Sequence, residues 1–213
     1  MRHQCVYCLI ALYLIPYTFI PLRAQSFKAG LLAGLATTQV DGDGFAGYSK
    51  AGIFAGGFVS KRLSPESKWT AMFEITYIQK GSKKNPIYKV KLDYAEVPIL
   101  LKYDFAVSDS ASGSRTNFGV LGGIAIGDLV KSEESDAFGV LTGGTPFQKM
   151  DISYVLGLSY ALSEHIGFEA RTEYSIIPVR KGGSSAYYPS WTSNIFKPGY
   201  YNNLLVFVFR YRL

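Results

Sequence analysis

Residues 205–213 alternate without a break. Leu205, Phe207, Phe209, Tyr211 and Leu213 fall on one side, and Val206, Val208, Arg210 and Arg212 on the other. A period of two places successive side chains on opposite faces of an extended strand. Two arginines therefore oppose five large apolar or aromatic side chains. That pattern leaves two kinds of fold open. In a soluble sandwich the apolar face is core and the arginines are solvated. In a membrane barrel the apolar face meets lipid and the arginines point into the lumen.

Seven earlier stretches follow the same rule. Ser26–Thr38 carries Phe27, Ala29, Leu31, Ala33 and Leu35 on one face. Ser49–Arg62 is Gly-rich, with Ala51, Ile53, Ala55 and Val59 opposite Phe54 and Phe58, and alternation alone does not assign its faces. Lys68–Lys80 sets Trp69, Ala71, Phe73, Ile75 and Tyr77 against Thr70, Glu74, Thr76 and Lys80. Leu92–Phe105 sets Val97, Ile99, Leu101, Tyr103 and Phe105 against Glu96, Lys102 and Asp104. Thr116–Gly127, Met150–Leu162 and Ile166–Ile176 repeat the pattern, the last with Glu169, Arg171 and Glu173 on its polar face.

The count is eight, an even number and the smallest usual size of a transmembrane barrel. Most of these stretches run 11–14 residues. Globular strands average about 5–6, whereas a tilted strand needs about 9–11 to cross a bilayer. Length therefore favours the membrane. The connections sort as well. Leu63–Ser67, Ala106–Arg115 and Ser163–His165 are the short ones; Gln39–Tyr48, Gly81–Lys91, Asp128–Lys149 and Ile177–Asn203 are longer. Short periplasmic turns and longer outer loops are the habit of outer-membrane barrels. The expected fold is all-β: an eight-stranded antiparallel up-and-down transmembrane β-barrel with short periplasmic turns and four longer outer loops.

The first 24 residues read as an address. Arg2 precedes the apolar run Cys5–Ile15, Pro16 and Pro21 break it, and Ala24–Gln25 is the best cleavage point. The expected organisation is a signal peptide over residues 1–24 and a barrel domain over 25–213. Both cysteines, Cys5 and Cys8, lie in the signal, so no disulfide is expected in the mature chain. Removing Arg2 and Arg23 leaves 20 basic against 16 acidic residues, a mild excess of four spread along the chain. No nucleic-acid patch follows from it. Charged residues at 18% and aromatics at 15% exclude disorder and coiled coil.

The inward faces carry Glu74, Glu96, Asp104, Asp151, Glu169 and Glu173 with Lys102, Arg171, Arg210 and Arg212. An eight-stranded interior is just wide enough for side chains to fill, and an unpaired buried charge is costly. A structural charge network is expected there; an ion or proton path is the alternative. Pro98 cannot donate to a ladder, which predicts a bulge or local break in the fourth strand. His165 stands in a turn, and no catalytic, cofactor or metal constellation appears. Tyr187, Tyr188, Trp191, Phe196, Tyr200 and Tyr201 crowd the last outer loop, as an interfacial girdle or as a contact surface for glycan or protein.

Specific segments carry a family likeness. Tyr94-Ala95-Glu96-Val97-Pro98-Ile99-Leu100-Leu101-Lys102-Tyr103 resembles the Y-L-E-I-P-L-L-L-K-Y strand of the PorT-like outer-membrane β-barrel family. Tyr77-Ile78-Gln79-Lys80-Gly81, Gly167-Phe168-Glu169-Ala170-Arg171 and Phe209-Arg210-Tyr211-Arg212-Leu213 are similar to its other strand ends. The sequence departs at Ala95, where Leu is usual, and at Leu213, where Phe is commoner. The resemblance implies a Bacteroidetes-type outer-membrane barrel with a link to protein secretion. The expectation is a non-enzymatic, monomeric barrel in the Gram-negative outer membrane, structural, adhesive or part of an envelope complex. It meets outer-membrane lipid, inserts through the barrel-assembly machinery by its last strand, and offers its outer loops to envelope proteins or glycans. A secreted lipocalin-like carrier of an apolar ligand and a lipid-modifying barrel enzyme are the rivals.

Overall fold

The structure is a computed structural model and describes residues 27–44, 47–84, 88–108, 115–141, 144–182 and 199–213. Eight long strands form the wall: β1 (Lys28–Asp41), β2 (Lys50–Arg62), β3 (Trp69–Lys84), β4 (Tyr88–Ser108), β5 (Arg115–Asp136), β7 (Met150–Ala161), β8 (Ile166–Ser175) and β10 (Gly199–Arg212). Two short strands, β6 (Gly139–Val140) and β9 (Arg180–Lys181), extend β5 and β10. Each wall strand pairs antiparallel with the next, and β1 pairs with β10 from Gly30↔Arg212 to Asp41↔Tyr201. That last ladder closes the wall, so each of the eight wall strands has two hydrogen-bonded neighbours.

Alternation decides which side chains turn outward. Leu31, Leu35, Ile53, Phe73, Ile75, Ile99, Ile124, Leu156, Phe168 and Phe207 lie on the outer face, with Leu35 64% and Ile75 63% exposed. A continuous apolar belt of this kind would be anomalous in water, where single patches seldom exceed a few hundred Å². In hydrocarbon it is the required surface. At the end where β1 begins and β10 ends, Trp69, Tyr103, Phe105 and Phe118 form a run of ring contacts at 4.8, 4.8 and 6.4 Å. Phe168 and Phe209 continue it at 5.5 Å. Tyr154 and Tyr174 stack near the opposite, loop end at 5.9 Å. These rings flank the belt on both sides.

Three expectations need correction. The connection placed at Gly81–Lys91 is mostly strand: β3 and β4 stay paired as far as Lys84↔Tyr88, and β5 follows to Asp136. Pairing needs backbone groups, not apolar side chains, so these polar strands run on past the belt. β4 and β5 reach 21 and 22 residues. Of the bulge or local break expected at Pro98, only the break falls there; the register shift in β4 lies between Asp93 and Tyr94. Pro98 itself stays opposite Ala125 in the β5 ladder, while the β3 ladder passes from Phe73↔Ile99 to Thr76↔Glu96 with no pair between. The missing proline N–H accounts for that local break. Tyr200 and Tyr201 belong to β10 rather than to a loop, and Tyr201 is buried, stacked on Tyr174 at 6.1 Å. Tyr187, Tyr188, Trp191 and Phe196 lie outside the described residues, as do residues 1–24.

Candidate functional site

The lumen is filled in layers, and strand parity builds each of them. The middle layer is a closed ring of four charges. Arg171 of β8 donates from Nη1 to Glu74 Oε2 at 2.7 Å, from Nη2 to Glu74 Oε1 at 2.8 Å, and from Nε to Glu169 Oε2 at 2.8 Å. Arg210 of β10 reaches across to Glu74 Oε1 at 3.2 Å and Glu169 Oε1 at 2.7 Å. Two guanidiniums thus meet two carboxylates, the forked geometry that suits arginine. All four side chains are buried. Phe54 and Phe58 of β2 lie against the two guanidiniums, with ring centroids 5.7 and 4.2 Å away. Cation–π attraction settles the faces of β2 that alternation could not. Gly30 makes room for Phe58, because a Cβ there would stand 2.5 Å from its ring.

Toward the loop end lies a second chamber with a different balance. Lys80 Nζ is 2.6 Å from Glu96 Oε1 and 3.1 Å from Asp151 Oδ2, and it also pairs with Glu173. Asn202 donates from Nδ2 to Asp151 Oδ2 at 2.9 Å, and the Tyr94 ring lies 5.1 Å from the ammonium. Glu96, Asp151 and Glu173 offer oxygens within 4.8 Å of one another, close enough to hold a metal ion. Here the Lys80 ammonium already serves as the shared cation. One ammonium faces three carboxylates, and Glu96 Oε2 is buried without a partner. An apolar cluster shares the lumen with them: Leu32, Ala36, Ile78, Leu92, Leu204, Val206 and Val208 pack together along β1, β3, β4 and β10.

The two ends differ again. At the loop end Phe147, Tyr88 and Leu129 pack onto the apolar cluster and close it. Arg180 crosses above them, with its guanidinium 3.7 Å from the Phe147 ring and Nη1 donating to Glu134 Oε1 at 3.2 Å. Tyr88 also donates to Glu134. Burial pushes the Glu134 carboxyl up, but the Arg180 and Tyr88 hydrogen bonds outweigh it and hold the group below the usual carboxylate range. At the terminal end Lys102 pairs with Asp104 at 2.9 Å, and Arg212 donates from Nη1 to the Glu164 carbonyl at 2.9 Å.

Of the residues expected in a lumen network, the structure brings Glu74, Glu169, Arg171 and Arg210 into one ring. Glu96, Asp151 and Glu173 meet in a second cluster. Lys102, Asp104 and Arg212 lie apart at the terminal mouth. The organiser of the second cluster, Lys80, was not among them. Its parity was legible, but it stood beside an expected loop beginning at Gly81. Leu205, Phe207, Phe209, Tyr211 and Leu213 all face outward. His165 lies in the β7–β8 connection, 6.4 Å from the Tyr211 ring centroid.

A closed ring of eight antiparallel strands, apolar outside and ion-paired within, defines a small outer-membrane barrel. The outer membrane protein beta-barrel domain family matches residues 23–180, and the chain belongs to that family. It is an outer-membrane protein. Among solved structures it is similar to Ail, the attachment invasion locus protein of Yersinia pestis, at 12% identity over 87% of this chain and 98% of that one, with a TM-score of 0.49. The Neisserial surface protein A is similar at 15% identity, over 87% and 97% of the two chains, with a TM-score of 0.46. The outer membrane protein OprG of Pseudomonas aeruginosa is similar at 12% identity, over 88% and 94%, with a TM-score of 0.37. A search of curated proteins finds no match.

Proposed function

We propose that the protein is a non-catalytic, non-conducting barrel that anchors a contact surface in the outer membrane and works as a component of an envelope complex. The observation that supports this reading is the filled lumen: a guanidinium–carboxylate ring, a lysine–carboxylate cluster and an apolar cap occupy successive levels of one narrow barrel. A conducting barrel needs a continuous wet path, and these layers interrupt it. The surface is offered by the strands that rise past the belt. At their tip Phe138 is 99% exposed, with its N–H held by Asp136 Oδ1 at 2.8 Å. A large apolar side chain fixed on a turn is the type of anchor that partner proteins bury. The likeness to the PorT-like family favours a complex concerned with secretion. Insertion uses the last strand, whose outward row ends at Leu213.

The test is conductance across a planar bilayer. The reading expects no steady ohmic channel from the refolded barrel. A reproducible open level carried by the wild-type chain, and altered by Arg171→Gln, would restore the ion path. The rival lipid-modifying activity is tested by mass spectrometry of lipid A from a deletion strain. An unchanged profile is expected; a shifted mass would make the barrel an enzyme.

A further inference from the structure

The terminal mouth carries a concentration of positive charge that the proposed anchoring role does not use. Lys28, Arg62 and Arg212 occupy the last inward positions of β1, β2 and β10, and Lys102 the inward position of β4 next to Asp104. The register places them side by side. Arg212 follows Arg210 on the strand paired with β1, Lys28 stands opposite Ser60, and Thr70 of β3 joins Arg62 to Lys102. Arg212 stands opposite Gly30, two positions from Lys28 on β1, and Arg62 lies two positions past Ser60, the residue opposite Lys28. Among the described residues three carboxylates stand at this end: Asp104, paired with Lys102, Glu164 in the β7–β8 connection and Glu66 in the β2–β3 turn. Four inward cations against three acids leave a surplus at the rim. The ion-paired ring below cannot absorb it, because its own charges balance. Arg212 Nε is also cut off from solvent without a hydrogen-bond partner.

We propose that this mouth is an oxyanion site that takes a phosphate group. Like charges drawn to one rim repel, and a bound dianion turns that repulsion into attraction. Guanidinium forks match phosphate oxygens. The narrow entrance admits one such group and excludes a bulky polyanion. The phosphate belongs to a soluble ligand or to the headgroup of an anionic lipid at the membrane surface.

Isothermal titration of the refolded full chain in an alkyl maltoside, a phosphate-free detergent, tests the site with inorganic phosphate and pyrophosphate. Saturable binding is expected, about tenfold weaker in Lys28→Gln and in Arg62→Gln. Lys61→Gln is the control, because it removes the same charge from the neighbouring outward position, where its ammonium lies over the Phe27 ring at 5.4 Å. Equal weakening in the control, or equal heats from chloride at matched ionic strength, overturns the proposal, as does absence of binding by wild type. Each variant must keep its heat-dependent shift on SDS gels, which separates a lost site from a lost fold. Repeating the titration in phosphatidylglycerol nanodiscs identifies the source. Binding that persists marks a soluble phosphate; binding that disappears marks the headgroup, which already fills the mouth.

Discussion

The Arg171–Arg210 ring and the Lys80 chamber lie in the same lumen and rest on opposite arithmetic. In the ring two guanidiniums meet two carboxylates, and each partner touches both of its opposites. In the chamber one ammonium serves three carboxylates, with one oxygen left over. A buried pair lost on one side leaves an uncompensated charge, at a cost of about 3–5 kcal/mol. Loss of an acid should therefore harm the ring, whereas the chamber holds acid in excess. Identical chemistry, a glutamate on an inward position, has opposite consequences according to the count around it.

The largest effect is expected from Lys80→Met, which strands three buried carboxylates at once. The barrel should fail to reach its SDS-resistant form, and a variant that folds normally would remove the chamber from the account. Next comes the direct contrast. Glu74→Gln should lower the unfolding free energy by about 3–5 kcal/mol, since it unbalances the ring. Glu96→Gln should leave it unchanged or raise it. Urea unfolding in lipid, followed by tryptophan fluorescence, reads both. Equal losses in the two variants would erase the distinction. On the outer face, Phe207→Arg places a charge in hydrocarbon and should cost about 2–4 kcal/mol near the midplane. In a soluble barrel with that face as its core, the same change would instead spoil the core and any ligand cavity. A smaller effect is expected at the loop end. The Glu134 carboxyl is held below its ordinary value, so its contribution is complete above the unfolded carboxylate range and is lost as the pH falls through the folded value. A fall in the hydrogen-exchange protection of Tyr88 and Arg180 on acidification, relative to the intrinsic exchange rate at each pH, would register it; protection independent of pH would remove the clasp. The smallest is Phe138→Ser, within about 0.5 kcal/mol on stability because the side chain touches solvent, while contact with the envelope partner should weaken.

Much of this was readable from period-two patterning. The outward rows of β1, β3, β7 and β10 follow directly from alternation, as do the inward positions of Glu74, Glu169, Arg171 and Arg210. What alternation hides is anything decided across the lumen. Phe54 and Phe58 face inward because Arg171 and Arg210 lie opposite them, and those arginines come from strands more than a hundred positions away in the chain. Lys80 escaped for a related reason: its partners sit on β4, β7 and β8, and its own strand was expected to end there. The extensions of β4 and β5 were hidden because polar strands in water and polar loops share a composition.

Closure of the wall has a consequence for the order in which the barrel can form. β10 supplies the last two ladders, to β1 and to β8, and the same strand delivers Arg210 to the ring. Until it docks, Glu74 and Glu169 must share Arg171 alone. An open sheet is then penalised twice, by free backbone groups at its margins and by a carboxylate in want of a counterion. Docking of the final strand cures both defects together, so that the ion ring works as a latch on the seam. Partly closed forms are disfavoured, and the step that seals the wall is also the step that neutralises its interior.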